Sequence, residues 1–304
     1  MKKIIIEVHK LGGKAISRLH LLTRILDMLA PDRVHIFVVS AGEGMTNLLE
    51  KMYQAGVQND LSQLPLIEEF RSSHRDIIRK HDLWLYNDRA VVPVMDVNRS
   101  VLYLSDFFSA ADFSEIKMAE LLAQGELLTS KIFRHFACSV TNEQVAWADS
   151  RRMIATTGKI NAAEVVPQAS SVLTLNALAP LMAKHRFIVV QGFIGSDELT
   201  GKTSVLERDG SDASAAWMAN FLHSDESPVA CVNFWKDVPG LVKNINARKL
   251  EIYPEVNFQE LRAKVMNGSP VLHHTAIPPL ESKLIPARIC SYKQPESLGT
   301  LITN

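Results

Sequence analysis

Short apolar runs alternate along the chain with stretches in which apolar positions recur every three or four residues. Residues 4–8 suit a buried strand of a parallel sheet, which reads as continuous rather than alternating hydrophobicity. After a Gly12-Gly13 turn, Ile16, Leu19, Leu22, Ile25 and Leu29 fall at helical spacing. Pro31-Asp32 stops that helix, residues 34–39 predict a second strand, and residues 46–54 a second helix. This order implies a right-handed parallel crossover. Residues 55–135 read as a mostly helical insertion with a brief strand at 102–104. Beyond it the pattern predicts strands near 135–140, 151–155, 186–191, 203–207, 228–234 and 286–292. Helices are expected near 171–184, 212–223, 257–267 and 271–280. The alternation places the chain in the α/β class.

Composition narrows the function classes. The 304 residues are 47% hydrophobic and 22% charged with a formal net charge of zero, so no field for nucleic acid or anionic lipid is present and an anionic ligand needs a local site. Cys138, Cys231 and Cys290 are too few and too scattered for a disulfide framework or a structural zinc site. No segment approaches the ~20 apolar residues that span a bilayer. The apolar start after Lys2-Lys3 ends within a few residues, so a cytoplasmic protein is expected.

The candidate chemistry lies in glycine-bearing turns at predicted strand ends. Lys10-Leu11-Gly12-Gly13-Lys14 offers backbone amides and a cation beside a helix start, a combination suited to phosphate. Residues 40–46 form a small-residue loop, and Gly125-Glu126 sets one acid in an apolar helical stretch. Residues 191–195 lead to Arg208-Asp209-Gly210-Ser211-Asp212, where Ser211 or Asp212 could also serve as a plain helix cap. Residues 234–240 end another strand. The P-loop-like stretch 195–203 has one residue too many between its glycines and runs into a strand, so a polar hairpin is expected there. Adjacent His273 and His274 cannot share a helix face, which makes them a poor metal pair.

In order and spacing these segments resemble the catalytic domain of the aspartate kinases, within the amino acid kinase family. Lys10 to Ala15 stands for K-F-G-G-T-S, and Ser40, Gly44, Thr46 and Asn47 match S-A-x-x-G-x-T-N. Gly125-Glu126 matches G-E-x-x-S, Q-G-F-I-G is intact at 191–195, and residues 207–216 stand for G-R-G-G-S-D-x-x-A-A. W-T-D-V-P-G appears at 235–240 with Lys236 for threonine, and G-T-L-I closes the chain at 299–302.

The resemblance implies a three-layer αβα sandwich with a largely parallel central sheet, forming one domain over 1–304. Residues 1–185 would form an amino-acid-binding lobe and 186–304 a nucleotide-binding lobe. It implies transfer of the γ-phosphoryl group of MgATP to the side-chain carboxylate of aspartate, with Mg²⁺ arriving on the nucleotide and no protein metal cage. Lys10 would stabilise the transferring group and Asp212 would orient it. Ser40, Thr46, Glu126, Phe193, Arg208 and Ser211 would hold the amino acid. Among these, Glu126 would meet the ammonium and Arg208 a carboxylate. Gly12, Gly13, Lys14, Gly44, Lys236, Asp237 and Gly240 would line the nucleotide site.

Three positions depart from the pattern. Pro270 replaces the lysine of F-G-A-K-V-L-H-P that meets ATP phosphates, and Lys14 or Lys236 could compensate. Asp209 replaces a glycine beside the clamp. Val242 replaces a nucleotide-site tyrosine, with D-P-R blurred into 245–248. The alternatives are a kinase for another amino acid or carboxylate, and a non-catalytic binding protein on the same fold. The regulatory ACT domains usual in aspartate kinases are expected to be lacking, so a homodimer would have to use another surface.

Overall fold

The computed structural model describes residues 3–59, 63–81, 91–243, 251–267 and 271–304. The first strand β1 (Ile5–Leu11) pairs in parallel with β2 (Arg33–Val39), which it reaches through a short helix α1 (Gly13–Ile16) and α2 (Leu19–Met28). One helix was expected here. It breaks at Ser17-Arg18, where the Ser17 hydroxyl accepts the Glu43 amide at 3.1 Å and Arg18 reaches both the Lys14 carbonyl and Glu43.

Helices α3 (Met45–Val57), α4 (Gln63–Lys80), α5 (Val91–Ser109) and α6 (Glu115–Thr141) then pack in sequence. Two expectations fail in this segment. Residues 102–104 lie inside α5 and 135–140 inside α6, because their apolar positions complete helical stripes; Ile132, Phe133, Phe136 and Ala137 all bury on one face of α6. A short run such as Phe136 to Val140 cannot by itself distinguish helix from strand.

The chain continues through β3 (Val145–Trp147), a 3₁₀ turn at Ser150–Arg152, β4 (Ala155–Lys159), β5 (Ala162–Val165) and α7 (Pro167–Met182). The strand expected at 151–155 therefore starts where that expectation ends. Then follow β6 (Phe187–Gln191), β7 (Ile194–Asp197), β8 (Thr203–Val205), α8 (Ser211–Leu222), β9 (Val229–Lys236), β10 (Glu255–Asn257), α9 (Phe258–Met266), α10 (Ile277–Glu281), β11 (Ala287–Ser291) and β12 (Thr300–Thr303). The helix expected over 271–280 is a 3₁₀ turn at His274–Ala276 followed by α10. β7 and β8 form the polar hairpin, with Asp197 accepting the Thr200 amide at 2.8 Å.

Eight strands form one sheet in the order β10-β12-β11-β9-β1-β2-β6-β3, parallel except for β11 against β12. β4, β5, β7 and β8 make a smaller sheet beside it. The alternation of each strand divides the core. Leu11, Phe37, Val39, Phe187 and Val189 face the layer containing α2 and α6, while Ile6, Val8, Val38, Val190, Val232 and Phe234 face α8. The result is a three-layer αβα sandwich with its sheet buried on both faces.

One polar chain runs through the first face. Trp235 Nε1–H donates to His9 Nδ1 at 3.3 Å, His9 Nε2 lies 3.1 Å from His35 Nδ1, and His35 Nε2 lies 2.8 Å from the Ala30 carbonyl. Both imidazoles are fully buried.

Phe37 fixes the packing of α6 on the sheet, with its ring 5.2 Å from Phe133 and 5.1 Å from His9. Phe37→Ala is expected to lower stability by about 3–5 kcal/mol through lost burial and the cavity it leaves. The urea midpoint with an unchanged m-value measures it.

Candidate active site

Parallel order brings the carboxyl ends of β1, β2, β6, β9 and β11 to one edge, the usual ligand position of an open α/β sheet. A cavity of about 570 Å³ opens there. Lys10 on β1 and Lys236 on β9 continue the rows of Ile6, Val8 and Val232, Phe234, so both side chains point toward α8. Ala213, Ala215, Ala216 and Ala219 keep α8 thin enough to lie close on β1 and β9. Its first turn thereby delivers Asp212 between the two lysines. Asp212 Oδ1 is 2.9 Å from Lys10 Nζ and Oδ2 is 2.7 Å from Lys236 Nζ, and the His273 amide also donates to Oδ2, at 3.2 Å.

The electrostatics follow from this arrangement. Burial alone would raise the Asp212 carboxyl, but the ammonium groups of Lys10 and then Lys236 outweigh it and hold the acid far below the usual carboxylate range. Burial lowers the Lys236 ammonium, which Asp212 supports and Lys10 opposes. Asp212 does not cap its helix; the cap position is Gly210, and no side chain closes it. At the rim Lys14 pairs with Asp237 at 2.8 Å, and that hydrogen bond draws the acid below its ordinary range.

The turn after β1 fits against the loop after β2. A Cβ on Gly13 would lie 2.6 Å from the Ala41 carbonyl, so only glycine allows that approach. α1 is four residues long, so the helix dipole expected behind this turn is small and the amides carry the local polarity. On the α6 side Glu126 is 3% exposed. Its Oε1 accepts the Ala41 amide at 3.1 Å while Oε2 has no hydrogen-bond partner among the described residues. Burial pushes its carboxyl up to about 8, against the smaller opposing effects of backbone amides and Lys10. Phe193 and Asp209, both lining the cavity, have φ of 68° and 64°, strained values for side-chain-bearing residues.

Every residue given a catalytic, substrate-binding or nucleotide-binding role from sequence lines this cavity except Gly240. Gly240 packs instead on Thr300, whose hydroxyl accepts the Leu241 amide at 2.8 Å. Its turn leads away from the strand edge. Arg208 reaches the cavity, but its guanidinium is engaged by Glu50 and Asn47. Pro270 and residues 245–248 lie outside the described residues, and Val242 makes an isolated bridge to Ile252. Sequence reasoning missed Thr129, which accepts the Gly42 amide at 3.2 Å, together with the His273 amide and Tyr292 on the cavity wall. Tyr292 is the last residue of the strand predicted at 286–292, and it follows directly on β11, whose parallel order places it at this edge.

Residues 6–291 match the model of the amino acid kinase family. The chain is similar to lysine-sensitive aspartokinase 3 of Escherichia coli (strain K12), 28% identical over 98% of this chain and 64% of that protein. It is also similar to the aspartokinase of Chlamydia muridarum, 26% identical over 97% and 63% respectively. Among solved structures, E. coli aspartokinase III in complex with aspartate and ADP superposes with a TM-score of 0.86 at 26% identity, over 98% of this chain and 64% of that one. The aspartate kinase of Clostridium acetobutylicum, at 18% identity and a TM-score of 0.73, shares the fold, over 99% and 62%. The chain thus spans somewhat less than two thirds of the length of these relatives.

Two outcomes follow from the charges. The unfolded chain releases the Glu126 proton near pH 4.5, whereas the folded protein holds it to about pH 8. Stability should therefore fall at this group as pH rises between those values, and Glu126→Gln should flatten that slope in denaturation series. Asp212→Ala leaves two lysines without their shared counter-ion and is expected to cost about 3–5 kcal/mol, read by the same unfolding assay.

Proposed function

Because the chain belongs to the amino acid kinase family, we propose that this cavity transfers the γ-phosphoryl group of ATP to the side-chain carboxylate of aspartate. The observation that carries the proposal is Asp212 held between Lys10 and Lys236 at the edge lined by Gly12 and Gly13. Phosphoryl transfer requires positioning and charge stabilisation more than covalent chemistry from the protein. The two lysines supply charge where the equatorial oxygens of the transferring group would gather, and Asp212 keeps both aimed there. Lys236 on β9 takes up the phosphate contact for which the family pattern uses the lysine replaced at Pro270.

On the opposite wall the unpartnered Oε2 of Glu126 suits an α-ammonium, whose arrival favours release of the Glu126 proton. Arg208 suits the acceptor's other carboxylate, with Ser40, Thr46, Phe193 and Ser211 closing around the molecule. The reacting carboxylate is already ionised near neutrality, so no general base is required. Its oxygen forms the new bond to phosphorus as the bridging P–O bond breaks, and ADP leaves with the electron pair. Gly12, Gly13, Lys14, Gly44 and Asp237 lie where the nucleotide phosphates enter. Mg²⁺ belongs to the incoming nucleotide, since Asp212 and Asp237 are each committed to lysines.

In this reading Thr46 on α3 and Glu126 on α6 form the acceptor side together with Phe193, Arg208 and Ser211 from the segment after residue 186, and the nucleotide side draws on Gly12, Gly13, Lys14 and Gly44 as well as Lys236 and Asp237. Among the described residues no helix is long and apolar enough to cross a membrane, and the reading places the protein in the cytoplasm, where ATP is supplied. Trapping aspartyl phosphate as its hydroxamate tests the proposal. Lys10→Ala should lower ATP- and aspartate-dependent turnover roughly a hundred- to a thousandfold, and Lys236→Thr should also lower it substantially. Equal turnover in wild type and Lys10→Ala would discard the assignment.

A further inference from the structure

Arg208 is the cation best shaped to hold a carboxylate in this cavity, yet its fork is already occupied from within the protein. Arg208 Nη1 donates to Glu50 Oε1 at 2.9 Å and Oε2 at 2.8 Å, and Nη2 donates to Asn47 Oδ1. Glu50 and Asn47 lie one turn apart on α3, so their side chains share the face that meets the arginine. Asn47 and Arg208 line the cavity, while Glu50 stands outside its lining and remains partly solvated, its side chain 32% exposed. Nothing in the proposed chemistry requires this carboxylate.

We propose that Glu50 is an internal competitor for Arg208, engaging the guanidinium donors that the acceptor's second carboxylate would use until substrate displaces it. This rests on the reading of Arg208 as the acceptor clamp. A bound substrate must exchange one carboxylate for another at the guanidinium. The ejected Glu50 then stands in water near a second negative charge. Because both partners are partly exposed, the competing pair is weak, and the exchange is feasible without rearrangement of α3. Glu50 therefore reduces the advantage of acceptors that carry a carboxylate at this position over those that lack one. Asp209, the next residue after the clamp, adds a further negative charge on the same rim.

Calorimetry with aspartate and with β-alanine, which is aspartate without its α-carboxylate, tests this independently of turnover. Glu50→Gln should tighten aspartate binding by about two- to fivefold, the range of an exposed ion pair, and leave β-alanine unchanged. The preference for aspartate over β-alanine thus widens, which a merely structural loss would not produce. Unchanged or weakened aspartate binding in Glu50→Gln, or equal shifts for both ligands, overturns the competitor. Arg208→Ala separates the two premises. If wild type prefers aspartate and Arg208→Ala keeps that preference, the clamp assignment fails. If Arg208→Ala abolishes it while Glu50→Gln does nothing, the clamp stands and the role of Glu50 falls. A wild type that binds no aspartate overturns both.

Discussion

The arrangement at this site depends on one buried carboxylate shared by two ammonium groups. Asp212 is 3% exposed, and without Lys10 and Lys236 its charge would be costly to bury. The neighbourhood is shaped to bring the three together. β1 and β9 are adjacent and parallel, so their last side chains facing α8 lie side by side. α8 carries small residues where it crosses those strands, and its first turn lies above their carboxyl ends. The excess positive charge of the trio makes the edge attractive to an anion before any ligand contact forms.

The opposite wall uses burial in the other direction. Glu126 accepts the Ala41 amide and forms no ion pair among the described residues, so burial, against the weaker effects of backbone amides and Lys10, keeps its carboxyl protonated to about pH 8. Two acids in one cavity are thus held in opposite states by their surroundings, one by paired ammonium groups and one by desolvation. That contrast gives the cavity two chemically distinct ends, one receptive to an anion and one to a cation. A bound amino acid would lie between them with its acceptor group directed at the lysines.

Much of this was legible in the sequence because the chemistry sits at strand ends. The runs at 4–8, 34–39, 186–191 and 228–234 are strands of the main sheet, and a parallel sheet brings their following turns together. Lys10, Ser40 and Lys236 therefore meet although far apart in the chain. The failures have a physical pattern. Residues 102–104 and 135–140 are locally ambiguous apolar runs, and tertiary packing on the helical layer decided them. Gly240 kept its place in a motif but not in space, since its turn is set by Thr300 on a distant strand. The carboxylate partner of Arg208 was hidden because Glu50 lies outside every recognisable motif and meets the arginine only through the packing of α3.

The chain from Trp235 through His9 and His35 to Ala30 has a direction. An indole N–H can only donate, so His9 must receive at Nδ1 and give at Nε2, and His35 must do the same in turn. One tautomer of each ring is thereby selected. Trp235 adjoins Lys236, so the rigidity of this one-way ladder reaches the strand end that carries a site lysine. The buried ladder thus fixes the orientation of three side chains beneath the cavity, each holding its neighbour through a single proton.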